Sequence, residues 1–167
     1  MGGNTRNYKR DAGEALYRRS MYTFWKRSAP PASMDIFNAP SRETSCVRRE
    51  RTNTPLQALV TLNDPQFVEA ARVMAAKAWR DAGGEAGRVM DVLVKRTLHR
   101  SLSEAERAIL RDTLEKFSAH YEAHPQEAAA LVSVGEQPKE QGVPSVAHAA
   151  WTMVTNQLLN LDEVLNK

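Results

Sequence analysis

Apolar residues recur at helical spacing through the last two thirds of the chain, and cap signals mark where each helix starts. Over 65–82, Phe67, Ala71, Met74, Ala75 and Ala78 fall three and four apart, giving one apolar face that ends at Gly83-Gly84. A second helix is expected over 85–98, with Val89, Val92, Leu93 and Leu98 apolar. Ser103 with Glu106 forms a capping box, opening a helix that runs through Leu110, Leu114, Phe117 and Tyr121 to Pro125. A short helix over 125–134 and a polar loop over 135–144 follow. The last helix is expected over 145–165, where Ala147, Trp151, Val154, Leu158, Leu161 and Leu165 make a sustained seam.

Two helix starts of one design sit close together in 48–66, RRERTNTPLQALVTLNDPQ. Thr54 precedes Pro55 with Gln57 three positions on, so a hydroxyl cap, a first-turn proline and a capping-box partner coincide. Asp64-Pro65 repeats the cap and the proline. Leu56, Leu59, Val60 and Leu62 leave little polar surface between them, and predict a buried short helix. Upstream the pattern changes. Residues 1–13 carry no periodicity, and 14–26 gives a short helix from Glu14 followed by an extended aromatic piece. Pro30, Pro31 and Pro40 exclude helix from most of 28–42, while Met34, Ile36 and Phe37 suggest a strip pressed onto apolar surface.

The expected fold is therefore all-α: an irregular bundle of about five to six helices behind an extended basic, aromatic and proline-containing arm. Residues 1–51 are assigned to the arm and 52–167 to the bundle. The 167 residues suit one domain, with 42% hydrophobic and 26% charged residues. No stretch approaches the ~20 apolar residues of a membrane span. The opening MGGNTRNYKR lacks the apolar centre of a secretory signal.

Charge sharpens the contrast between the two parts. Residues 1–51 hold eleven Lys/Arg against five Asp/Glu, and the rest hold twelve against fifteen. The arm can pair with the acidic helices of its own molecule, or present a basic face to an acidic partner. Tyr22 and Trp25, beside Arg18, Arg19, Lys26 and Arg27, are candidates for stacking, or for anchoring the arm to a protein surface. Arg48, Arg49, Arg51, Asn53 and Asn63 are candidates for holding an anionic or hydroxyl-rich ligand. The competing expectation is that Glu43, Glu50 or Asp64 folds back onto those arginines.

The remaining chemistry is sparse. Cys46 is the single cysteine, expected to be a buried and inert thiol, and its solitude rules out an internal disulfide or a C-x-x-C-H haem attachment. His120 and His124 share a helix face, but the motif is HYEAH rather than H-E-x-x-H and no third ligand is evident. His99 and His148 are isolated. No catalytic set, metal site or cofactor follows from these residues.

The stretch YRRSMYTFWKRSAPPASMDIFNAPSRETSCVRRERTNTPLQALVTLNDPQFVEAAR resembles the C-terminal part of the Planctomycete PSD-one domain, a family of unknown function. ALVSVGEQP and AAWTMVTNQLLNLDEVL resemble that family's ending, so the likeness covers residues 4–166. It implies a larger exported or periplasmic protein, with a companion domain of unknown function and often a c-type cytochrome domain. Against that pattern this chain begins partway through the domain, without the haem-binding cysteines, and is expected to be either a fragment of a longer protein or a free-standing helical protein. Three functions follow as expectations. The first is a non-catalytic helical module, docking on the missing upstream part, on another protein, or on itself through exposed apolar surface. The second is an incomplete part of an exported redox or polysaccharide-related enzyme, with an anion or sugar site at the arginine cluster. The third, least favoured, is a nucleic-acid-binding basic arm, whose affinity would fall steeply with salt.

Overall fold

A computed structural model describes residues 9, 11–26 and 29–166. They form eight α-helices and two short 3-10 helices. Among the described residues no strand forms, and β pairing is limited to an isolated bridge between Lys26 and Ala29. The expected all-α fold is observed. Six helices have seven residues or more: α2 (Pro55–Asn63), α3 (Pro65–Asp81), α4 (Ala86–Thr97), α5 (Glu104–Ala123), α6 (Pro125–Leu131) and α7 (Ser145–Leu159). The two shorter ones are α1 (Ala32–Ile36) and α8 (Asp162–Leu165). The chain divides into two compact units, Met1–Gln57 and Ala58–Lys167.

In the second unit the helix ends follow local chemistry. Asp64 accepts a hydrogen bond from the Gln66 amide and Pro65 fills the first turn of α3. At the other end Gly83 sits at φ 64°, its amide bonding to the Arg80 carbonyl and that of Gly84 to the Trp79 carbonyl, a Schellman close. Ser103 and Glu106 complete their capping box on α5. Arg100 then ties this corner together, with forked bonds to Glu106 and to Glu163 of α8 and a further bond to the Ser101 carbonyl. The Arg100 guanidinium, helped by the Ser103 amide and hydroxyl, holds the Glu106 carboxyl down at about 2. Its attraction is therefore complete above the ordinary glutamate range, and is lost only as pH falls through about 2.

α7 runs through the centre of the unit, with Trp151, Val154 and Leu158 buried among Ala75, Ala78, Val89, Leu93 and Leu98. Small alanines on α3 allow that close approach, and Ala71, Ala76 and Ala78 are fully buried. Polar residues of α7 are buried as well. Thr152 and Thr155 return their hydroxyls to carbonyls one turn back, and Asn156 donates to the Leu62 carbonyl.

Several expectations need correction. α7 stops at Leu159 instead of running on to residue 165, and Leu161 is extended and exposed. The carboxamide oxygen of Asn160 accepts from the Thr61 hydroxyl at 2.5 Å, while Glu163 is drawn to Arg100, so the chain re-aims between them. The apolar seam ends at Leu158. The short helix α2 is also not buried through its leucines: Leu56 and Leu59 are exposed, whereas Gln57 and Thr61 are buried. Hydrogen bonds decide which face turns inward there. Residues 28–42 do contain a helix, α1, because Pro31 occupies its N-cap position, where a missing amide costs nothing. Cys46 is exposed rather than buried.

The second unit's most demanding feature joins α3 to the loop after α6. Glu69 and Arg72 lie one turn apart on α3 and are 2% and 0% exposed. Glu69 Oε1 accepts from the Glu136 amide at 2.9 Å and the Gln137 amide at 2.5 Å. Arg72 donates to the carbonyls of Val134, Gln137 and Pro138 at 3.1, 2.7 and 3.3 Å. The loop's backbone groups thereby take the place that water would hold around two charged side chains. Gly135, at φ 96°, passes directly over the Glu69 carboxylate.

Two substitutions test this packing by thermal or denaturant unfolding. Trp151→Ala is expected to cost about 3–5 kcal/mol, as large core truncations do, and an unchanged melting temperature would show α7 is not central. Gly135→Ala would place a Cβ inside the Glu69 carboxylate at a backbone angle that disfavours alanine. It is expected to cost at least about 1–3 kcal/mol; a neutral effect would mean the loop does not hold Glu69.

Candidate functional site

The candidate side chains predicted from sequence lie mostly in the first unit. Among its described residues the first element is a 3-10 helix, Gly13–Tyr17, and after Arg18 and Arg19 comes a second 3-10 turn, Ser20–Tyr22. Such tight turns bury nothing here, and they leave Tyr17, Met21, Tyr22 and Phe24 between 52% and 72% exposed. Trp25 is half-buried. The Arg42 guanidinium lies over its ring, 4.8 Å from the centroid, a cation–π contact. Arg42 reaches it from a loop position with φ 66°.

α1 closes at Asn38, which takes φ 53° while its amide bonds to the Asp35 carbonyl and that of Ala39 to the Met34 carbonyl. The Asn38 carboxamide then donates to the Thr52 hydroxyl at 2.7 Å. Gln57 donates to the same hydroxyl and to the Ile36 carbonyl, each at 2.9 Å. Its amide oxygen accepts from the Thr54 backbone at 3.0 Å, and its own backbone amide bonds to the Thr54 hydroxyl, completing the expected capping box. The end of α1 and the start of α2 are thus latched through Asn38, Thr52 and Gln57, and residues 41–51 between them are an exposed excursion. Helix geometry aims Gln57 inward, and its two-ended amide serves cap and loop together.

Arg48, Arg49, Arg51 and Asn53 lie exposed on or beside this excursion. Among the described residues no ion pair joins Arg48 or Arg49 to a carboxylate. The Arg48 carbonyl accepts from the Cys46 thiol at 3.3 Å. Asp64, one of the acids expected to fold back on the arginines, is engaged as the cap of α3. Asn63, in the second unit, donates to the Leu59 carbonyl at 2.8 Å and closes its own helix. The cation brought to Trp25 is Arg42, which the sequence did not single out; Asn38, Thr52 and Gln57, which hold the loop, were also missed as a set. The signal for Gln57 was present in its capping-box position. The Arg42–Trp25 and Asn38–Thr52 contacts cross at least fourteen residues of chain and leave no local trace.

Other polar clusters do less. A cavity of about 390 Å³ between α4 and α5 is lined by Asp91, Lys95, His99, Arg100 and Arg107. Arg107 pairs with Asp91 at 2.8 Å and Arg100 with Glu106 and Glu163, so most of its charge is already neutralised. His120 and His124 stack with ring centroids 4.6 Å apart, His120 meeting Glu127 and His124 the His120 carbonyl. Among the described residues no three His, Cys, Asp or Glu side chains gather where they could hold a metal ion. Among the described residues no helix is long and apolar enough to cross a membrane.

These features define the class: an all-α protein with an aromatic and basic surface displayed on a latched first unit. Within that class the chain belongs to the PSD1 family of proteins of unknown function (DUF1553), whose model matches residues 2–114. The aromatic segments, the arginine loop, both proline caps and α4 fall inside the match; ALVSVGEQP and AAWTMVTNQLLNLDEVL lie beyond it. No curated protein and no solved structure matches the chain.

Replacing Gln57 with Ala removes half the capping box and the bonds to Ile36 and Thr52. A loss of about 1–3 kcal/mol in local stability is expected from the polar groups left without partners. Faster tryptic cleavage after Arg48, Arg49 and Arg51 is the readout; unchanged cleavage would show that the latch does not order the loop.

Proposed function

We propose that this chain is a non-catalytic helical interaction module whose first unit docks on another protein surface, either the remainder of a longer exported polypeptide or a separate chain. The observation that carries this reading is the display of Met21, Tyr22 and Phe24, 71%, 65% and 72% exposed, in the same unit as the arginine excursion. Aromatic residues and arginine are the side chains that dominate binding energy at protein interfaces. Large apolar groups grouped on one short stretch of surface mark such sites. The latch through Thr52 and Gln57 supports the same reading, since a loop held at both ends loses less entropy on binding. In the second unit, by contrast, the buried charges Glu69 and Arg72 are committed to their own loop.

The test is in-cell crosslinking in the source organism with wild-type protein and two variants. One is Met21→Ala/Tyr22→Ala/Phe24→Ala, the other Arg48→Glu/Arg49→Glu. A specific protein crosslink that falls at least tenfold in both, with helical content unchanged by circular dichroism, is expected. Equal crosslinking in all three overturns the docking surface. Association with polynucleotide that collapses steeply with added salt would replace it with nucleic-acid binding. Binding of an oligosaccharide lost with Arg48 and Arg49 would favour a ligand site instead.

A further inference from the structure

His148 stands in the first turns of α7, is 1% exposed, and bonds to the backbone of the same Arg72 whose guanidinium holds the loop. Its Nε2 is 3.0 Å from the Arg72 carbonyl oxygen. A carbonyl only accepts, so Nε2 carries the hydrogen and Nδ1 keeps the lone pair. Nδ1 is buried without a hydrogen-bond partner among the described residues. The folded protein therefore fits the neutral imidazole and offers a second N–H nowhere to go.

The charges around this ring make a proton still less welcome. From α3 come the buried Arg72 guanidinium and Glu69, whose Oε1 already accepts two loop amides. From the loop come Lys139, bonded to the Ser145 hydroxyl, and Glu140, paired with Arg80 at 3.1 Å. From α5, Tyr121 packs among Ala149 and Ala150, and burial raises its hydroxyl further above an already high value, so it stays neutral. Burial pushes His148 below the ordinary imidazole value; the bond to the Arg72 carbonyl and the Glu140 charge oppose this, while Arg72 and Lys139 add to it.

We propose that His148 is the trigger of an acid-operated release: protonating its imidazole frees the 134–140 loop from Glu69 and Arg72. His148 bonds to the backbone of Arg72, whose guanidinium holds this loop, and Lys139 of the loop bonds to Ser145 three residues before the ring, so the loop is the neighbouring part whose departure gives the new N–H a path to water. This goes beyond the docking reading and does not depend on it. The sign follows from linkage. The open state takes up the proton more readily than the closed one, so the closed loop is most stable above the ordinary histidine range. It loosens as pH falls below about 6.5.

The experiment is amide hydrogen exchange at Glu136 and Gln137 from pH 7.5 to 5, corrected for intrinsic exchange, in wild type and His148→Gln. One proton taken up per opening makes the open population rise about tenfold per pH unit below the histidine range. That extra rise is expected in wild type and absent in His148→Gln, with Val89 and Val154 still protected. The same slope in both proteins overturns the proposal, because the proton would then be taken up by a group other than His148. If His148→Gln does not fold, the wild type decides alone. An imidazole of His148 that titrates in NMR spectra while Glu136 and Gln137 stay protected overturns the release, and joint loss of protection sustains it.

Discussion

Two charged side chains one turn apart on α3 set the terms for the second unit. Glu69 and Arg72 are buried, and a charge taken out of water must find compensation or the fold fails. Here the compensation is backbone. Two amides of the 136–137 segment face the carboxylate, and three carbonyls from 134 to 138 face the guanidinium. The loop after α6 must therefore adopt one path, with glycine at 135 because nothing larger passes the carboxylate. α7 begins directly after that loop, so its placement on the alanine face of α3 follows from the same clamp.

Packing and polarity then reinforce one another. α7 touches helices on several sides, and a helix so surrounded would ordinarily be apolar all round. It instead buries His148, Thr152, Thr155 and Asn156. Each threonine answers to its own helix, while His148 and Asn156 reach carbonyls of α3 and α2. Polar bonds of this kind pin register as well as contact: sliding α7 by one turn would strand both residues. The apolar contacts of Trp151, Val154 and Leu158 supply most of the stabilisation, and the polar ones choose the position.

The first unit follows another plan. It buries no large hydrophobic side chain among the described residues, and is held by a small set of directed bonds centred on the Thr52 hydroxyl. Such a unit keeps Tyr17, Met21, Tyr22 and Phe24 and the arginines of the 41–51 loop at the surface.

Helix positions were legible in the sequence because caps act over three or four residues. Thr54-Pro55-Gln57, Asp64-Pro65, Ser103-Glu106 and Gly83-Gly84 all mark the ends seen in the structure. The all-α class follows from the same local periodicity, and the aromatic and arginine residues were visible by type. Which polar side chains enter the interior was not. The four leucine and valine positions of α2 pointed inward by composition, yet Gln57 and Thr61 took that place. His148 carried no pattern of its own, and Glu69 and Arg72 interrupt an otherwise small apolar face without announcing that they are core. Their partners lie 62 to 76 residues away, and only folding brings those backbone groups within reach. The chain alone determined where the capped helices begin, because the capping atoms are neighbours in sequence, whereas the end of α7 was set by partners of Asn160 and Glu163 that lie 99 and 63 residues away. Which polar groups could be buried was decided by tertiary structure, because burial is tolerable only where a distant backbone supplies the missing hydrogen bonds.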